Sequence, residues 1–101
     1  MDKKLKRVIS EFTKGILDKN KPEGMCFAVG CALSGYLNFL GYDNDIIEGE
    51  IIINEDSYEH YWIKYGELII DPTASQFNNR NGKKMPKIYI GKKPNHYKQL
   101  K

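Results

Sequence analysis

The sequence predicts an α+β fold in which two N-terminal helices pack on a small antiparallel β-meander. Three observations predict it. Apolar residues recur at three- and four-residue steps through the first 40 positions. From Ile46 to Asp71 the pattern changes to short β-branched and aromatic runs split by polar turns. A chain of 101 residues fits one domain, residues 1–101, with room for one core.

Residues 2–18 read as an amphipathic helix, with Leu5, Val8, Ile9, Phe12 and Ile16 on one side and charges between them. Asn20-Lys21-Pro22-Glu23-Gly24 breaks that pattern and predicts a loop. Residues 25–40 read as a second helix without a single charge, which predicts that it is largely enclosed. Gly41 is its natural stop. Residues 46–54, 58–65 and 68–71 read as three strands, with a turn at Asn54-Glu55-Asp56-Ser57 and a tight one near Gly66-Glu67. Pro72 ends the third, having no N–H to donate. Asn78-Asn79-Arg80-Asn81-Gly82 reads as a loop, residues 87–90 as a last edge strand, and the remainder as a polar tail.

Composition excludes some classes of function. Hydrophobic residues at 41% and charged residues at 29% are globular values, so disorder is not expected. The net charge of +3 is too small to argue for nucleic acid. Its distribution is uneven: seven acids and no Lys or Arg lie between Asp43 and Glu59, whereas Lys83 to Lys101 holds seven lysines and no acid. The uncharged stretch from Gly24 to Tyr42 is broken by glycines, Ser34 and Asn38, and falls short of the roughly 20 apolar residues of a membrane span. Met1 leads into charge rather than an apolar leader, so a cytoplasmic setting with free thiols is expected. Cys26 and Cys31 are about 140° apart around a helix, which disfavours a mutual disulfide.

Cys26 carries the strongest chemical signal. It opens the uncharged helix, where unpaired N–H groups and the helix dipole favour a thiolate. His60 lies in the second strand and Asp71 closes the third. A two-residue turn at Tyr65-Gly66 would set His60 directly opposite Asp71, and one at Gly66-Glu67 would set them diagonally on the same face. A three-residue loop would put them on opposite faces. The first two arrangements permit an imidazole–carboxylate bond, the base-and-orienter half of a Cys-His-Asp triad. Taken singly, each residue also has a structural reading: a small core cysteine, a half-buried strand histidine, a turn aspartate.

Together, Gly24-Met25-Cys26, His60-Tyr61-Trp62 and Ile69-Ile70-Asp71-Pro72-Thr73, with Gln76-Phe77 following, resemble the papain-like/transglutaminase-like cysteine superfamily. The resemblance spans residues 24–77 and implies a core of that type. It implies Cys26 as nucleophile, His60 as general base and acid, and Asp71 as orienting carboxylate. Papain-like members usually place a glutamine ahead of the nucleophile as oxyanion donor. Here Asn20, or Gln76 from elsewhere, stands as the candidate, and Trp62, on the same strand face as His60, as a candidate wall.

Other constellations are weaker. The spacing of Cys26, Cys31, His60 and His96 matches no zinc pattern, and no cofactor motif appears. The interleaved Lys87-Ile88-Tyr89-Ile90-Gly91-Lys92-Lys93 fits a lysine-protected edge strand better than a specific nucleic-acid site. Two functional expectations result: a cysteine-dependent acyl-transfer enzyme (peptidase, amidase, deamidase or transglutaminase type) acting on a protein or peptide substrate, or a non-catalytic binding or inhibitor protein on the same scaffold.

Overall fold

The computed structural model describes residues 3–17, 24–78 and 84–100. Helix α1 (Lys3–Leu17) and helix α2 (Cys26–Phe39) precede strands β1 (Asp45–Ile53), β2 (Asp56–Tyr65) and β3 (Leu68–Asp71). A 3-10 turn (Ala74–Phe77) and strands β4 (Tyr89–Gly91) and β5 (Tyr97–Gln99) complete the chain. The five strands form one antiparallel sheet in the order β4-β3-β2-β1-β5. The α+β class is therefore as the sequence predicts. The meander β1-β2-β3 is extended at one edge by β4 and at the other by β5, which lies in the stretch expected to be a polar tail. The last edge strand sits at Tyr89–Gly91 rather than residues 87–90. The predicted loops fall largely on residues 18–23 and 79–83, outside the described residues.

Alternation along the strands sends neighbouring side chains to opposite faces. Ile63 and Ile70 point to one face and pack with Leu5, Ile9, Leu33 and Leu37 from the helices. Trp62 and Ile69 point to the other, where Ile51, Ile53, Phe77 and Tyr97 join them. The sheet thus has helices on one face and the chain after β3 on the other. Burying each of these large apolar side chains is worth about 1.5–3 kcal/mol.

Two turns fix the geometry that matters for function. Gly66, at φ 59, opens the two-residue turn Gly66-Glu67, with Tyr65 opposite Leu68 and Ile63 opposite Ile70. Of the two permissive alternatives, the diagonal one is realised. At the end of α2, the Tyr42 N–H donates to Leu37 O (2.9 Å) and the Gly41 N–H to Asn38 O (3.1 Å). Gly41 sits at φ 95, so this is the left-handed glycine stop that the sequence predicts. Asn44 then ties β1 back to α2, donating through Nδ2 to Ser34 O at 3.2 Å and to Tyr42 O at 2.8 Å.

One expectation is overturned. Helix α2 is not enclosed: Phe39 is 84% exposed, and Phe27, Tyr36 and Leu40 also face outward. The helix buries Val29, Leu33 and Leu37 against α1 and the sheet, while Phe27 and Tyr36 are only partly covered, by Tyr61 and Phe12, and Phe39 stands open. Absence of charge does not report burial when the outer positions are small or aromatic.

Candidate active site

Strand β2 is bounded by a two-residue turn at each end, Asn54-Glu55 and Gly66-Glu67. Residues flanking such turns exchange backbone hydrogen bonds, so even-numbered residues of β2 bond toward β1 and odd-numbered ones toward β3. Strand β3 ends at Asp71, which in the same register stands opposite Trp62. Beyond that point the odd-numbered Tyr61 aims its N–H past the end of β3. Cys26 lies beside this notch, where the backbone N–H groups of Tyr61 and Phe27 favour its ionised form.

The register also brings His60 and Asp71 together. His60 Nε2 donates to Asp71 Oδ2 at 2.7 Å, with both side chains fully buried. That bond leaves Nδ1, which is buried without a formed hydrogen bond, as the ring nitrogen free to exchange a proton with the thiol. The charge of the ring bears on Cys26 and favours its ionised form. Imidazole and carboxylate are thus joined directly, and the thiol is coupled to them electrostatically. Among the described residues, Trp62 and Gln76 make no hydrogen bond to these three. Trp62 is buried behind the imidazole, its ring centroid 6.3 Å away, so it packs the site rather than walling an opening. Gln76 lies in the 3-10 turn with Oε1 buried and unpartnered. Asn20 lies outside the described residues.

Asp71 is held by more than the sequence reading includes. Its Oδ1 accepts the Thr73 N–H at 3.0 Å and the Thr73 hydroxyl at 3.4 Å. Its Oδ2 accepts the Tyr97 hydroxyl as well as the imidazole. Phe77 meets the His60 ring edge-on at 5.2 Å and Tyr97 at 6.0 Å. Thr73 carries the recurring signal of a hydroxyl residue two positions after an aspartate, which bonds back to its carboxylate. Tyr97 carries no comparable signal, because it comes from β5 across the sheet.

The electrostatics follow from these contacts. Partial burial pushes the Cys26 thiol up, but the His60 hydrogen bond and charge and the two backbone N–H groups outweigh it, and the net value falls below the ordinary 9.0. Burial pushes His60 down, whereas hydrogen bonds and charge from Asp71 and Cys26 lift it to about 9. Burial, then the Asp71 charge, raises Tyr97, which keeps it a neutral donor. Both shifts favour a thiolate beside an imidazolium, the reactive form of a cysteine nucleophile. Cys31 is also an unpaired thiol but has no comparable partners in these contacts. Among the described residues no group of three or more His, Cys, Asp or Glu is arranged to hold a metal.

Compared with protein families, curated proteins and solved structures, the chain matches none of them.

Proposed function

We propose that this protein is a cysteine-dependent acyl-transfer enzyme with a papain-like/transglutaminase-like core, acting on an amide of a protein or peptide in the cytoplasm. The observation that carries the reading is the buried His60–Asp71 bond, which leaves Nδ1 free while His60 acts on Cys26. In the first step the Cys26 sulfur attacks the amide carbon and a carbon–sulfur bond forms. The carbon–nitrogen bond breaks, and the proton on His60 Nδ1 passes to the departing amine. The Cys26 N–H, at the first turn of α2 where helical N–H groups lack intrahelical partners, is placed to receive the developing oxyanion. Water or an amine then attacks the thioester and gives its proton to His60, the carbon–sulfur bond breaks, and the acid or new amide departs from the Cys26 thiolate. Asp71 is a positioning residue that keeps Nε2 protonated and Nδ1 toward the sulfur.

A second reading, a binding protein on the same scaffold, is favoured by the exposed Phe27, Tyr36 and Phe39 of α2. A peptide vinyl sulfone, read by intact mass and peptide mapping, separates the two. The enzyme reading expects one adduct on Cys26 and none in Cys26→Ala. An unreacted wild-type protein overturns it.

A further inference from the structure

The ground beside Cys26 has a chemical character of its own. Phe27 follows Cys26 in the chain and is 57% exposed, and its ring meets Tyr61 edge-on with centroids 4.8 Å apart. Tyr61 is the residue whose N–H favours ionised Cys26, and its hydroxyl donates to Glu48 Oε2 at 3.2 Å. Glu48 stands opposite Tyr61 across β1 and β2, and Glu59 is two residues before Tyr61 on the same strand face. The charges of both carboxylates, and that of ionised Cys26, bear on the Tyr61 phenol. Glu50 differs, because Lys98 faces it across β1 and β5. Helix α2 supplies no charge at all, so no cation from that side offsets Glu48 and Glu59. None of the ion pairs among the described residues involves either carboxylate.

We infer that Phe27, Tyr61, Glu48 and Glu59 form a specificity subsite for a cationic group, an alkylammonium or guanidinium, carried by the substrate next to the amide that Cys26 attacks. This rests on the acyl-transfer reading of Cys26 and names its substrate class. The aromatic faces attract a cation through their quadrupoles, while the carboxylates supply the opposite charge at the rim. An acidic side chain in the same place would meet two carboxylates and the thiolate.

Three peptide chloromethyl ketones test the inference, identical except for lysine, norleucine or glutamate next to the warhead. Norleucine keeps nearly the length of lysine without its charge. The measured quantity is the second-order rate of Cys26 alkylation. The lysine probe is expected to react on the order of tenfold faster than the norleucine probe, and the glutamate probe more slowly than either. The lysine preference should shrink with added salt and collapse in Glu48→Gln/Glu59→Gln. Equal rates for all three probes, with Cys26 labelled, would overturn the subsite and leave the nucleophile standing. Failure of every probe to label Cys26 would overturn both.

Discussion

At the scale of single residues, the site depends on how many donors one carboxylate collects. Asp71 has no exposed surface, and His60, Thr73 and Tyr97 all donate to it. A buried carboxylate is tolerable only with such partners. Replacing Tyr97 by Phe removes one donor and keeps the ring, so the fold should survive with a loss of about 1–3 kcal/mol in urea denaturation. An unchanged stability would mean that the hydroxyl does nothing for Asp71. Cys26, His60 and Asp71 were legible in the sequence because each stands at an element boundary or within a countable register. Tyr97 was not, because a three-residue strand inside a lysine-rich tail leaves no periodic signal, and its partner is 26 residues away. Phe77 was legible only as a neighbour in the motif, not as the ring that closes over the imidazole.

At the scale of elements, the β1-β2 pair shapes the pocket behind the imidazole. Gly49 stands opposite His60, and the Trp62 ring lies across it. A Cβ at Gly49 would come within 2.1 Å of that ring and 2.4 Å of the Lys98 carbonyl oxygen. Neither atom moves cheaply, since one is a buried indole and the other is backbone. Gly49→Ala should therefore cost about 1–3 kcal/mol, measured as a lowered melting temperature, and should displace the imidazole from Cys26. A variant as stable as the parent, with unchanged Cys26 reactivity, would show that β5 and Trp62 do not set the site. Among the elements, the hairpins were readable from Asn54-Glu55 and Gly66-Glu67, though the first turn is two residues rather than four. The enclosure of α2 was misread. Hydropathy of a helix reports how apolar its sides are, whereas burial depends on what packs against them, and Phe27, Tyr36 and Phe39 of α2 are left exposed.

At the scale of the whole molecule, the coupled pair shapes stability against pH. His60 has its folded pKa raised from 6.5 to about 9, so by itself it adds stability that is full below 6.5 and lost as pH rises through about 9. Cys26 is lowered from 9.0, so by itself it adds stability above its unfolded value that is lost as pH falls through its folded one. Wherever the folded pair is thiolate and imidazolium it holds one proton, on His60, and between 6.5 and 9 the unfolded pair also holds one, on the thiol. The pair's contribution is then flat in that window. Cys26→Ala removes the compensation, and its stability should decline with pH across the same range while Asp71 keeps His60 charged. Melting temperatures of both proteins from pH 6.5 to 9 check this through their difference, which should widen with pH. A constant difference would mean that the thiol and imidazole are not exchanging a proton. No helix among the described residues is long and apolar enough to cross a membrane. The sheet order was only half legible, because β4 and β5 are three-residue strands defined by their partners rather than by their own pattern.

The central claim is that Cys26 is a thiolate held by His60, and the rate of its alkylation by iodoacetamide against pH, resolved by peptide mapping, tests it most directly. Cys31 serves as an internal control in the same molecule. The account predicts that Cys26 is labelled first and that its rate has already risen to a plateau at pH values below the ordinary thiol value of 9.0. Equal labelling of the two cysteines, or a Cys26 rate that climbs only around pH 9, would contradict it.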